Sequence, residues 1–161
     1  MIEPLTVEFA KGWRKRHPDV SDSEVRRIQA ETAKNFIEEF TKILIDEGPF
    51  ERAEVREADV LVVVPRMLNL NIPAPETESD AGYRSYSPRQ VSMEMSGELR
   101  DGVNGDVLLR VIVIDPEERE KIHQIPGPNR LANAYEIRGS LQRWSRMLRE
   151  AIDVAKASKP G

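Results

Sequence analysis

The stretch that decides the fold is Val91-Ser-Met-Glu-Met-Ser-Gly-Glu-Leu-Arg-Asp101-Gly-Val-Asn-Gly-Asp-Val107-Leu-Leu-Arg-Val-Ile-Val-Ile114. Val91, Met93, Met95 and Leu99 fall on alternate positions, the period of a strand with one face buried. Asp101-Gly-Val-Asn-Gly105 is rich in the residues that tolerate tight turns, and Val107 to Ile114 returns as a β-branched run. Two such runs around an Asx/Gly turn predict an antiparallel hairpin. Asp115-Pro116 closes its second strand, and Ile125-Pro-Gly-Pro128 reads as a loop.

On the N-terminal side, Val60 to Ile72 reads as the longest strand, opened by the longest apolar run, Val60 to Val64. It is apolar on both sides at first and then alternates through Leu68, Leu70 and Ile72. A run apolar on both faces suits a central strand covered on both sides. Pro65 cannot donate to a ladder, so its presence predicts a bulge or a free edge at that point. Phe50 to Val55 reads as a further short strand, and Leu5, Val7 and Phe9 alternate as a first one.

Two segments carry the helical period instead. Ser21-Asp-Ser-Glu24 has the form of a capping box. Behind it Val25, Ile28, Ala33, Phe36, Ile37, Phe40, Ile43 and Leu44 recur at three and four, to a stop at Gly48-Pro49. Asn129 can cap a last helix running to about Ala157, with Ala134, Ile137, Leu141, Trp144, Leu148, Ile152 and Ala155 on one face. Arg138, Arg146 and Arg149 fall on the other. Two long amphipathic helices must bury their stripes on the sheet. The expectation is therefore one α+β domain over residues 1–161. It is a two-layer sandwich with a mainly antiparallel sheet of four to five strands, where only the first strand–helix–strand unit allows a parallel pair.

Composition narrows the function classes. At 161 residues the chain can bury a core without staples, and 32 % charged residues against 39 % hydrophobic ones is well short of the disordered regime. The formal charge of −4 argues against a nucleic-acid partner. With no cysteine, disulfides, thiolate nucleophiles and Cys-based zinc sites are excluded within these residues. No run approaches the roughly 18 apolar residues that span a bilayer. Met1 is followed almost at once by the first strand, which fits either a cytoplasmic chain or one whose export signal has been removed.

The search for chemistry leads to no catalytic, metal or cofactor expectation. The two histidines, His17 and His123, have no second histidine at helical spacing and read as surface imidazoles. Asp101-Gly-Val-Asn-Gly-Asp106 starts like a calcium loop, but Val103 and Gly105 stand where the pattern needs oxygen ligands. No nucleophile elbow, dinucleotide fingerprint or phosphate loop occurs. Two interaction surfaces remain. One is the basic loop holding Trp13, Arg14 and Arg16; the other is the Pro73–Gly82 loop with Tyr83, Arg84 and Tyr86 beyond it.

A wider pattern adds to this. Leu5-Thr-Val-Glu-Phe9 precedes a capped helix, Asp59-Val-Leu61 opens the long strand, and Asn71-Ile-Pro-Ala-Pro75 leads to Ala81-Gly-Tyr83. Gly97-Glu-Leu-Arg-Asp101, Gly105-Asp-Val-Leu-Leu-Arg-Val111, Asn129-Arg130 and Arg143-Trp-Ser-Arg-Met-Leu-Arg149 follow. Together they resemble, over nearly the whole chain, the bacterial lipoprotein family known as domain of unknown function 3313. The most specific parts are Glu98-Leu-Arg-Asp101 with its turn and Arg143-Trp144. The chain departs from that pattern at Val103-Asn104 and at Asp115-Pro116. The resemblance implies a signal peptide and a lipidated cysteine upstream, hence a periplasmic or outer-membrane-associated domain with a membrane tether. It implies an envelope protein partner and no enzymatic activity. The alternative from another class is a domain that binds or hydrolyses a small ligand or an envelope polymer. Its residues would converge from distant positions, such as an acid from the hairpin and an arginine from a loop.

Overall fold

The computed structural model describes residues 1–72, 91–114 and 130–157. Four strands form one mixed sheet in the order β1-β2-β3-β4, with β1 Thr6–Phe9, β2 Leu61–Asn71, β3 Ser92–Asp101 and β4 Val107–Ile114. β1 runs parallel to β2; the β2–β3 and β3–β4 pairs are antiparallel. The helices are α1 Trp13–Arg16, α2 Asp22–Thr41 and α3 Arg130–Ala157, and a π-helical turn, Lys42–Asp46, continues α2. The fold is a two-layer α+β sandwich, as the two periodicities require.

The hairpin forms as its residues dictate. The Asp101 carboxylate accepts from the amides of Val103 (2.8 Å) and Asn104 (3.1 Å), and Gly105 N–H donates to Asp101 O (3.0 Å). Gly105 sits at φ 76°, a left-handed conformation that glycine enters without a Cβ clash. Asn104 and Asp106 are linked side chain to side chain at 2.8 Å. The oxygens that superficially resembled a calcium loop thus hold the turn together.

One face of the sheet carries the core. Leu5, Val7, Val63, Met67, Met93, Met95 and Leu99 lie on it, under Phe36 and Phe40 of α2 and Leu141, Trp144 and Leu148 of α3. The three aromatic rings form one cluster, with Phe36–Phe40 centroids at 4.0 Å and Phe40–Trp144 at 5.0 Å. The Trp144 ring lies on Gly97: a Cβ built there would stand 2.8 Å from the indole edge. Gly97 is therefore the gap in the Met95–Leu99 alternation because the large ring needs its space.

Several expectations change. Phe50–Val55 forms no strand; it is irregular chain between α2 and β2. The Trp13–Arg16 segment is a short helix rather than a loop. Pro65 marks neither a bulge nor an edge, since β2 is central and its register with β3 runs unbroken through Pro65↔Gly97. Val63 exchanges hydrogen bonds with Met1 O and Glu3 N, so Pro65, two residues on, also turns its nitrogen towards the N-terminal segment. There the pairing is interrupted between the Ile2↔Val63 bridge and Thr6↔Arg66, beside Pro4. The bulge lies further along, at Asn69 (φ 53°), between Leu68 and Asn71. It changes the phase, so Leu70 and Ile72 face the core while Leu68 pairs with Glu94 on the opposite face. That opposite face is not helix-covered among the described residues: Val62 is buried there, but Arg66, Leu108, Arg110 and Ile112 are exposed.

Candidate functional site

The first of the two expected surfaces is built around Trp13. Gly12 enters α1 at φ 75°, and the turn drives the indole inward until it is fully buried. Its Nε1–H donates to Ile72 O at 2.8 Å, and its ring packs between Phe9 (centroids 4.4 Å) and His17 (4.6 Å). His17 is correspondingly half-buried rather than a free surface imidazole, and its Nδ1–H donates to Trp13 O at 2.9 Å. The two arginines have partners too. Arg14 donates to Val20 O and to the Asp22 carboxylate, tying α1 to the first turn of α2. Arg16 donates to Lys11 O (3.2 Å) and to Asn71 Oδ1 (3.3 Å), crossing to the end of β2.

This geometry reassigns the segment. Trp13 is an anchor, and Arg14 and Arg16 fasten the turn to its neighbours. Lys11 and Lys15 are the exposed cations that flank them. Trp13 and Arg16 bind Ile72 and Asn71, the last residues before the second expected surface. The 11–17 turn is thus packed against the end of β2. Tyr83, Arg84 and Tyr86 themselves lie outside the described residues.

An acid from the hairpin does meet arginines. Glu98 of β3 accepts from Arg100 through Oε2 (2.9 and 2.5 Å) and from Arg110 of β4 through Oε1 (3.0 and 2.6 Å). Hydrogen bonds from Arg100 and then Arg110 hold its carboxyl below the usual carboxylate range. A carboxylate kept ionised in this way is a poor proton donor near neutral pH, so the arrangement serves as an ion-pair clamp across the strands. Among the described residues no group of three His, Asp or Glu side chains stands close enough to hold a metal ion. No described helix is long and apolar enough to cross a membrane.

No family model, curated protein or solved structure matches the chain.

Two features escaped the sequence reading. Arg138 does not point to solvent alone. It reaches α2, pairing with Glu38 at 3.3 Å and with the buried Glu39. Burial pushes the Glu39 carboxyl up, but the bonds from Arg138 and Gln142 and the charges of Arg138 and Lys42 together bring it below its ordinary value. An acid three residues after Phe36 and four before Ile43, within the apolar stripe of the helix, was the available signal. Arg149 likewise reaches the end of the π-helical turn, donating to Glu47 O at 3.0 Å. The second feature is a cleft of about 300 Å³ between the N-terminal segment, α2 and residues 52–54. Ile2, Ile37 and Ile45 line it together with Thr41, Arg52 and Glu54. Its residues come from three distant stretches, which no local motif can announce.

Proposed function

We propose that this chain is a non-enzymatic interaction domain of the bacterial cell envelope, the soluble part of a lipoprotein. The sequence resemblance supplies the compartment and the tether. The observation that carries the interaction reading is the Trp13–Ile72 hydrogen bond, with Arg16–Asn71 beside it. It sets the 11–17 turn against Asn71 and Ile72 at the end of β2, so this expected contact segment is held on a rigid sheet. Loops held on such a scaffold commonly carry recognition. The polar side chains that could have suggested catalysis serve instead as fastenings: Arg14 and Arg16 hold the turn, and Glu98 clamps two strands.

The test is to express the native full-length gene in a bacterial host, fractionate the cells and read the mature N-terminus by mass spectrometry. The expected product carries a diacylglycerol-modified cysteine upstream of this sequence, in the membrane fraction. An unmodified cytosolic chain overturns the reading.

The second reading, ligand or envelope-polymer binding, draws on the 300 Å³ cleft, which lies at the lower end of small-molecule site volumes. Its isoleucine floor beside Arg52 and Glu54 suits a short amphipathic molecule.

A further inference from the structure

Among the described residues β4 is an edge of the sheet, and it is built unlike a protected one. Natural edge strands carry lysine, proline, inward charges or a covering element that discourages pairing with another chain. From Val107 to Ile114 the sequence is Val-Leu-Leu-Arg-Val-Ile-Val-Ile, with no lysine or proline. Its one charge, Arg110, is turned back onto Glu98 of the neighbouring strand at 2.6 and 3.0 Å. Leu108 is 57 % exposed and Ile112 64 %. The register shift near Leu109 stands at the hairpin end, leaving Leu109 to Ile114 in regular pairing with β3.

The backbone adds direction. Asp101 N–H donates to Asp106 O, so Asp101 and the residues alternating with it in β3 turn their peptide groups towards β4. Their partners Leu109, Val111 and Val113 face back to β3. Arg110 and Ile112 therefore present their N–H and C=O groups to the outside.

We propose that two copies of this chain join through β4, antiparallel about a two-fold axis at Val111, so that the two sheets become continuous. The register follows from charge, parity and overlap, since an axis at Ile112 would pair only residues 110–114 of β4 whereas one at Val111 pairs 108–114. An axis at Arg110 would set two guanidinium groups directly opposite each other, which is unfavourable. An axis at Val111 places Arg110 of one copy opposite Ile112 of the other, and those residues own the free peptide groups. Leu109 then faces Val113 of the second copy, and Val111 faces itself. Because every charge on this edge is already paired within its own chain, a second copy meets an apolar strand with nothing to desolvate unpaired. The inference is independent of the envelope reading, since it concerns the purified chain.

Sedimentation of the purified 161-residue chain over a range of concentrations tests it. The expected result is a reversible monomer–dimer equilibrium. Ile112→Lys, which sets a second cation opposite Arg110, should raise the dimer Kd by about tenfold or more. Ile112→Pro removes one outward N–H and should do the same; circular dichroism matching the parent shows that the fold is kept. The chain has no cysteine, so Val111→Cys reports the register directly: mild oxidation should give a disulfide-linked dimer. A chain that stays monomeric throughout overturns the proposal. So does a dimer that ignores both Ile112 substitutions, or one that Val111→Cys fails to cross-link.

Discussion

At the scale of single residues, two tryptophans organise this molecule in different ways. Trp13 is tied by its indole N–H to Ile72 O, which fixes where β2 ends. Trp144 has no acceptor for its Nε1 among the described residues and works through shape. It fills the space over Gly97 and closes the Phe36–Phe40 cluster. Gly97→Ala therefore tests the packing at its tightest point. A methyl 2.8 Å from the indole edge forces the ring or the strand to shift. Overpacking of this kind costs about 1–3 kcal/mol, read as a lower urea midpoint at unchanged slope. Of the candidate site, Trp13 was legible only as an aromatic residue in a basic segment; its burial and its bond to Ile72 O were not. The partners of Arg14 and Arg16 were not, because they belong to Val20, Asp22 and Asn71. Sequence spacing cannot tell a free cation from one already bound.

At the scale of elements, the strongest signals in the sequence were local ones. The Ser21 cap forms, with Glu24 N–H donating to Ser21 Oγ at 3.2 Å. The hairpin turn forms around Asp101 and Gly105, where side-chain and backbone preferences agree. β2 was read less well, and Asn69 is the reason. A residue at φ 53° inserts one extra position and reverses which side chains face inward afterwards. Alternation is a reliable guide only while the register is unbroken, so Leu68 and Leu70 were read as sharing a face. Asparagine tolerates this conformation, whereas a β-branched residue does not. Asn69→Val should cost about 1–2 kcal/mol, and Asn69→Gly should be close to neutral; thermal unfolding of the pair checks this. A larger loss for glycine than for valine would mean that the Asn69 side chain, and not its backbone, is what the bulge needs.

At the scale of the whole molecule, the two helices are joined through a half-open ion pair. Glu39 is almost fully buried in α2, while Arg138 of α3 covers it from the solvent side. The Glu39 carboxyl is depressed in the folded chain, so its contribution to stability is present above its unfolded value, near 4.3. That contribution is lost as pH falls through the lower, folded value. Glu98 acts in the same direction. The unfolding midpoint should therefore decline as pH is lowered from about 5 towards 3. Glu39→Gln should flatten part of that decline, and Arg138→Leu should cost about 2 kcal/mol near neutral pH by leaving a buried carboxylate without its cation. An acid limb of unchanged steepness in Glu39→Gln would assign the linkage to other carboxylates.

The sequence alone determined the two long helices, the long strand, the hairpin and the α+β class, because helical and strand periods and turn chemistry are properties of neighbours along the chain. Tertiary structure decided the rest. Among the described residues it made β2 central and β4 an edge, turned Arg14, Arg16 and Arg138 into fastenings, and left Leu108 and Ile112 exposed. These outcomes depend on which distant strand lies alongside, and on which carbonyl or carboxylate arrives within reach of a long side chain. Only the folded chain brings those partners together.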